Sequence, residues 1–219
     1  RDRDVTGVQT CALPISVTPL TVSGAICDVS RERGLLTHLD GARIFNAAVA
    51  LGVDVREIAT PFDSVMFCLS KGLSAPIGSI VAGSRDFVER ARKYRKMLGG
   101  GMRQAGVIAA AGIVAIEMMT DRLEEDHRHA RLLGEGLASI PGIHVALETV
   151  QTNMVYFDVE GLGLDSSSFA EALEGYHVKA SLRPPTGIRM VTHRHISREN
   201  ISYVLDVVGE IAEDHLMSQ

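Results

Sequence analysis

The sequence predicts an α/β fold, with a mostly parallel sheet in the first part of the chain and a small α+β domain at its carboxyl end. Two apolar runs, 35–39 and 64–69, flank an alanine-rich helical stretch, which is the spacing of one right-handed strand–helix–strand crossover. Beyond residue 142 the pattern changes to short runs that resemble paired strands. We therefore divide the chain into a first domain at 17–120 and a second domain at 121–219.

The elements of the first domain follow from apolar periodicity and from the residues that interrupt it. Helical spacing of apolar side chains predicts helices at 23–33, 44–51, 85–98 and 103–119. Short apolar runs bounded by turn residues predict strands at 35–39, 64–69 and 78–83. The last of these helices is apolar on several faces but too short to cross a bilayer, so we expect it to be packed.

The second domain begins with a helix at 122–140 that carries one polar face. Further helices are predicted at 166–175 and from 197 onward. Strands are predicted between them, at 143–147, 154–159, 180–182 and 187–192. Strands that share a face with helices indicate a small α+β unit.

Composition indicates a soluble globular protein without an electrostatic signature for nucleic acid. The 219 residues are 46% apolar and carry a formal net charge of −5. The basic cluster at 90–96 fits one helix better than a binding arm. Three cysteines show no metal-ligand spacing, which favours reduced thiols in a cytoplasmic protein. No apolar run reaches the roughly 20 residues that span a bilayer.

The first 16 residues look foreign to the rest of the chain. A signal peptide has a basic start, then an apolar core, then a cleavage site of small residues, and these 16 residues do not show the three features in that order. We interpret residues 1–16 as an artefactual leader, introduced in sequencing or assembly, and exclude them from the predicted fold.

An acid and a lysine follow the two predicted parallel strands. Asp40 ends the first apolar run, and Lys71 follows the second, 31 positions later (71 − 40). Neighbouring parallel strands end at one sheet edge, where open α/β sheets bind ligands. There a lysine can hold pyridoxal phosphate as a Schiff base, while a carboxylate keeps the pyridine nitrogen protonated. Taken alone, a solvated loop lysine and an aspartate that caps a helix or forms a turn explain the two residues more simply.

Three strings carry a resemblance that favours the cofactor interpretation. They are His38-Leu-Asp-Gly-Ala-Arg43, Ser70-Lys-Gly-Leu-Ser-Ala-Pro76 and Arg95-Lys-Met-Leu-Gly-Gly-Gly-Met-Arg-Gln104. In this order and spacing they closely resemble the threonine aldolase family, within the fold-type I enzymes that use pyridoxal phosphate. The resemblance covers residues 17–215. It implies that the first domain is part of a fold-type I large domain.

The resemblance implies cofactor-binding roles for four residues, two of them also catalytic. Lys71 matches the lysine that binds pyridoxal phosphate covalently, and Asp40 matches the carboxylate that pairs with the pyridine nitrogen. Ser70 belongs to the same motif as Lys71. Arg103, beside the triple glycine, is a candidate for the cofactor phosphate, including across a dimer. A helix-terminating turn explains the glycines almost as well.

Three residues are implied to contact the substrate. Arg43 and Arg189 match family arginines at the substrate carboxylate, and a planar guanidinium suits bidentate recognition of that group. Lys96 is a weaker candidate from the same resemblance. Without the resemblance, Arg43 would be a surface helix charge and Arg189 an exposed strand residue. If both arginines bind the carboxylate, the site forms when the two domains close on the substrate.

The histidines have simpler explanations than metal binding. His193 and His195 have the spacing of a metal pair, but they follow a strand into a loop, so we predict no metal site. His127 and His129 fit a solvated helix face. His38 could orient Asp40 from the same strand face, although a satisfied core histidine is the safer interpretation.

We therefore expect a carbon–carbon lyase that uses pyridoxal phosphate to cleave L-threonine or L-allo-threonine into glycine and acetaldehyde. It would be a cytoplasmic homodimer or homotetramer that acts on a small β-hydroxy amino acid. A related β-eliminating lyase, an aminotransferase-like enzyme or a catalytically silent fragment are the alternatives. Family members carry upstream a Gly-Thr phosphate loop, a group stacked on the pyridine and a catalytic histidine. We find none of these here, so we expect a C-terminal fragment with impaired activity.

Overall fold

A computed structural model describes residues 16–217 and the backbone of residues 8–11. The chain divides into two compact units, Arg1–Arg122 and Leu123–Gln219.

The first unit contains a four-stranded sheet in the order β1-β2-β3-β4. Its strands are β1 (Val8–Cys11), β2 (Thr37–Asp40), β3 (Ser64–Cys68) and β4 (Ser79–Gly83). The pairs β1–β2 and β2–β3 are parallel, whereas β4 runs antiparallel to β3. The prediction of a mostly parallel sheet, with the 35–39 and 64–69 runs as neighbours, is confirmed.

Strand β1 lies within the segment that the sequence led us to exclude. Its backbone pairs with β2 in the register Val8 to Thr37 and Cys11 to Asp40. The excluded segment therefore contributes a strand to this sheet. The rest of residues 1–16, except Ser16, lies outside the described residues, and the interpretation of the segment as artefactual stays a prediction.

In the described part of this unit, five helices accompany the sheet: α1 (Leu20–Glu32), α2 (Ile44–Leu51), α3 (Val55–Ala59), α4 (Arg85–Met97) and α5 (Gly106–Met118). The sequence predicts four of them but misses α3. Its start carries a capping box, because the Asp54 side chain accepts from the Glu57 backbone N–H and the Glu57 side chain accepts from the Asp54 backbone N–H. The Asp54 and Glu57 residues of the capping box can be recognised in the sequence, but a helix of five residues is too short to show apolar periodicity.

A small core connects these helices to the sheet. Its buried members are Cys27, Leu39, Ile44, Ala48, Ile58 and Phe62. At the start of β2, the Thr37 backbone N–H and hydroxyl both donate to Asp63 Oδ2, at 2.7 and 2.9 Å. The Asp63 backbone N–H donates in return to Thr37 Oγ1 at 3.2 Å. This closed set of bonds aligns the beginnings of β2 and β3.

The expectation that α5 is a packed helix is wrong for most of its surface. Within this helix the buried residues are Gly112 and Ala115, whereas Val107 is 82% exposed and Met118 is 69% exposed. The small residues form one narrow contact side, and a Cβ added at Gly112 would lie 2.9 Å from a Leu69 methyl group. Only that side of α5 is buried, and most of its bulky apolar side chains are exposed.

The second unit is the α+β domain that the sequence predicts. Strands β5 (Met154–Asp158), β6 (Ser181–Arg183) and β7 (Gly187–Val191) form an antiparallel sheet in the order β5-β7-β6. Its helices are α6 (Leu123–Ala138), α7 (Ser166–Gly175) and α8 (Arg198–Leu216). The core is larger than that of the first unit, and Phe157 packs edge-on against the fully buried Phe169.

The strand predicted at 143–147 is wrong. His144 and Asp158 form a single antiparallel bridge with bonds of 3.0 and 2.9 Å. The chain then enters a 3-10 turn, Leu147–Thr149, in which the Thr149 hydroxyl donates to the Ala146 carbonyl at 2.7 Å. Ile143 and Val145 are buried. The alternation therefore reflects burial on one side, while the turn prevents a longer ladder.

Among the described residues, no helix is long and apolar enough to cross a membrane.

Candidate cofactor site

Asp40 is the last residue of β2, and the turn that follows it runs along β3. The Gly41 N–H donates to the Met66 carbonyl at 2.9 Å, and the Cys68 N–H donates to the Ala42 carbonyl at 3.4 Å. A Cβ at Gly41 would lie 3.0 Å from the same Met66 oxygen. Glycine therefore allows the backbone after Asp40 to remain bonded to β3.

The Asp40 carboxylate forms a turn with the residues that follow it. Its Oδ1 accepts from the Ala42 backbone N–H at 3.2 Å, which is an aspartate turn that ends before the helix begins. The N-cap residue of α2 is Arg43, whose side chain makes no capping hydrogen bond. Of the two structural explanations that the sequence left open for Asp40, the turn is therefore present, and the N-cap position belongs to Arg43.

Lys71 lies in a loop whose two ends are hydrogen-bonded next to the end of β3. The Leu69 N–H donates to the Gly78 carbonyl at 2.9 Å, and the Ala75 N–H donates to the Leu69 carbonyl at 3.0 Å. Leu73 is buried, whereas Lys71 and the neighbouring Ser70 are exposed. The buried residue anchors the loop and leaves the lysine amine accessible.

Asp40 is thus the last residue of β2, and Lys71 lies three residues after the end of the neighbouring parallel strand β3. The register pairs Asp40 with Met66, five residues before the lysine (71 − 66). Both residues therefore belong to the same edge of the sheet, and their joint role in binding a cofactor stays a prediction.

The other residues of this unit that the sequence singled out lie at different places. Arg43 is half-buried where α2 begins, next to the Asp40 turn. Lys96 is exposed in the last turn of α4, and Arg103 is exposed in the segment between α4 and α5. Their roles in binding stay predictions.

Arg189 occupies the middle of β7 in the second unit and is half-buried. It is paired with Tyr156 of β5 on one side and with Ser181 of β6 on the other. Its Nη2 donates to Ser181 Oγ at 3.1 Å. Its Nε is buried and has no hydrogen-bond partner among the described residues.

Ser181 is not among the residues predicted from the sequence. The register of the short β6–β7 hairpin could have identified Ser181, because it places this residue opposite Arg189. Predicting this register from the sequence requires the exact boundaries of both β6 and β7.

The histidines make local contacts. His38 Nδ1 lies 2.8 Å from Ser64 Oγ on the adjacent strand. The His195 backbone N–H donates to His193 Nδ1 at 3.3 Å, and the two rings are edge-on. Burial lowers the pKa of His127 to about 4, against a smaller opposite effect of Glu124, so a fully solvated helix face does not describe this residue. In the part of the chain that the structure describes, no group of three potential ligands could hold a metal ion.

The model of the beta-eliminating lyase family matches residues 14–160. The chain belongs to the beta-eliminating lyase family.

Named relatives agree with this assignment. The chain is 42% identical over 179 residues to low-specificity L-threonine aldolase 1 of Arabidopsis thaliana, covering 81% of this chain and 50% of that protein. It is 42% identical over 177 residues to the low-specificity L-threonine aldolase of Escherichia coli K12, covering 81% of this chain and 51% of that protein. The chain therefore spans about half the length of these curated relatives.

A solved structure shows the same fold. The threonine aldolase of Leishmania major superposes with a TM-score of 0.73 at 18% identity, covering 94% of this chain and 61% of that one. The structural neighbours are fold-type I enzymes, which confirms the predicted fold class.

Proposed function

We propose that this chain is part of a lyase that uses pyridoxal phosphate to cleave the Cα–Cβ bond of L-threonine or L-allo-threonine. The products are glycine and acetaldehyde. The 42% identity to two proteins named as low-specificity L-threonine aldolases supports the reaction. The single structural observation behind the proposal is the carboxylate and accessible amine of Asp40 and Lys71 at one sheet edge.

The residues at this edge fit pyridoxal phosphate. The exposed amine of Lys71 would hold the aldehyde carbon, and the carboxylate of Asp40 would accept a hydrogen bond from the pyridine nitrogen. Ser70 and Arg103 would contact the cofactor, with the Arg103 guanidinium directed to the phosphate. When bound, the cofactor supplies an acceptor for the electrons of the broken bond.

The remaining residues act on the substrate. Arg43 and Arg189 would bind the amino-acid carboxylate, because a guanidinium presents a planar fork of donors to it. Holding that group fixes which bond at Cα is broken, an orientation effect that lowers the barrier. Lys96 would add positive charge for the carboxylate. A base must also take the hydroxyl proton, and we assign no residue of this chain to that role.

Replacement of Lys71 tests the proposal most directly. The wild-type chain and the variants Lys71→Ala and Lys93→Ala would be mixed with pyridoxal phosphate, reduced with borohydride and digested for peptide mass analysis. Lys93 is also an exposed lysine of the same unit, so its replacement is the matched control. We expect a pyridoxyl adduct on the Lys71 peptide in the wild type and in Lys93→Ala. An adduct spread over surface lysines, or none, would contradict the assignment and favour a silent fragment.

Turnover distinguishes the enzymatic alternatives. In the complete enzyme, wild type should release glycine and acetaldehyde from threonine, and Lys71→Ala should retain less than a few per cent of that rate. Pyruvate or another keto acid as the main product would instead indicate a β-eliminating or aminotransferase-like enzyme.

We further propose that the complete protein is a cytoplasmic homodimer or homotetramer. Free thiols at Cys27 and Cys68 support a reducing compartment. The exposed apolar residues of α5 support burial against a further surface. Sedimentation velocity of the complete enzyme tests the assembly, and a monomer at micromolar concentration would contradict it.

A further inference from the structure

We propose that Ser181 is a positioning residue that holds the Arg189 guanidinium in the orientation in which it receives a carboxylate. The inference rests on the proposed function, in which Arg189 binds the carboxylate of the amino-acid substrate. It concerns only residues of the second unit.

The three strands of this unit place one ring, one guanidinium and one hydroxyl in a row. Tyr156, Arg189 and Ser181 are directly paired across β5, β7 and β6. The neighbours of Arg189 in β7, Ile188 and Met190, belong to the core, so the row lies on the opposite face of the sheet. Paired side chains in a sheet are close enough to contact each other. Arg189 is therefore flanked on both sides along the sheet.

The Ser181 hydroxyl accepts from one end of the guanidinium, while the Nε donor is unpaired within the described part of the chain. Arg189 Nη2 donates to Ser181 Oγ at 3.1 Å, while the buried Nε has no hydrogen-bond partner among the described residues. A buried N–H that lacks an acceptor is unfavourable, and a carboxylate oxygen is the acceptor that a guanidinium matches best. The hydrogen bond to Ser181 thus orients the Arg189 guanidinium before a carboxylate binds.

Orientation before binding increases affinity. An arginine side chain has many rotamers, and ordering them on binding costs affinity that a preformed hydrogen bond saves. On the other side Arg189 is paired with Tyr156, and the guanidinium carbon of Arg183 lies 5.7 Å from the Tyr156 ring centroid. Loss of the Ser181 hydroxyl would therefore loosen Arg189 without removing its charge.

The test compares Ser181→Ala, Ser181→Thr and Arg189→Lys in the complete enzyme, with Ser202→Ala as the control. Ser202 is an exposed serine on α8 in the same unit. Ser181→Ala should raise KM for L-threonine by about 3- to 10-fold, the loss expected for one hydrogen bond, with kcat unchanged. Ser181→Thr should restore KM, because it keeps the hydroxyl. Arg189→Lys should raise KM at least as much, because the planar fork is lost.

L-Threoninamide, which lacks the carboxylate, separates positioning from a general structural role. Ser181→Ala should leave its KM unchanged. An unchanged KM for threonine, or an equal rise for threonine and threoninamide, would overturn the inference. A rise that Ser202→Ala reproduces would overturn it as well.

Failure of the proposed function has a different signature. If the wild type makes no glycine from threonine, the function is wrong, and the inference is decided without turnover. Acetate added to the 219-residue chain should then shift the Arg189 Nε–H resonance in the nitrogen-15 spectrum, with a weaker response in Ser181→Ala. The absence of any shift in the wild type, or equal shifts in both proteins, would refute the role of Ser181.

Discussion

Replacement of Gly41 by alanine should destabilise the turn that carries Asp40. The added Cβ would lie 3.0 Å from the Met66 carbonyl oxygen, 3.2 Å from Ile44 Cβ and 3.4 Å from a Val65 methyl group. The oxygen belongs to strand β3 and already accepts from the Gly41 N–H at 2.9 Å, so it cannot move without breaking that bond. The turn must therefore shift by a few tenths of an ångström, away from β3.

The cost of this shift can be estimated from similar overpacking. Inserting a methyl group into a packed site typically costs about 1–3 kcal/mol. For a unit of this size, the melting temperature should fall by roughly 5–15 °C. A shift of the turn would also displace Asp40, so we expect Gly41→Ala to have a weaker affinity for pyridoxal phosphate.

Urea unfolding followed by far-ultraviolet circular dichroism measures the stability, and Gly24→Ala is the matched control. Gly24 is a helical glycine of α1, and its Cβ would meet no atom within 4 Å. That variant should gain about 0.5–1 kcal/mol, because alanine favours the helix. If Gly41→Ala unfolds at the wild-type urea concentration while Gly24→Ala behaves as expected, the reasoning about close approach is refuted.

Two further predictions concern Asp40 and His127. Asp40→Asn in the complete enzyme should lower kcat much more than cofactor affinity, because an amide cannot keep the pyridine nitrogen protonated; an unchanged kcat would argue against that pairing. The lowered pKa of His127, about 4 against 6.5 for the ordinary group, means that the unfolded chain binds more protons between these values. The contribution of His127 to stability should therefore be constant above pH 6.5 and fall towards pH 4, by about 1–2 kcal/mol once partial solvent exposure is allowed for. Unfolding at pH 7 and pH 4.5 checks this, since His127→Gln should lose less stability than wild type; equal losses would exclude His127 as the cause.

Local patterns in the sequence determined much of this fold. The helices α2 and α7 have the predicted bounds, Ile44–Leu51 and Ser166–Gly175. The crossover from β2 to β3 also follows from local information, because a short strand–helix–strand segment has one favoured hand and brings the strand ends together. The placement of Asp40 and Lys71 at one edge was therefore predictable from their spacing.

Features that depend on distant partners were not predictable in the same way. The 143–147 run has the alternation of a strand, yet one bridge to Asp158 is all that forms, because the following turn takes the chain away. The apolar helix α5 has the composition of a packed helix, but only Gly112 and Ala115 are buried. Composition specifies what a helix can bury, and the neighbouring elements decide what it does bury.

The sequence by itself determined the fold class, the family and the residue types at the candidate cofactor site. Only the tertiary structure decided how these side chains are held. It placed Asp40 in a turn, anchored the Lys71 loop through Leu73 and placed Ser181 beside Arg189. The physical reason is that strand spacing and apolar periodicity are properties of one segment, whereas hydrogen bonds between strands depend on register and therefore on both segments at once.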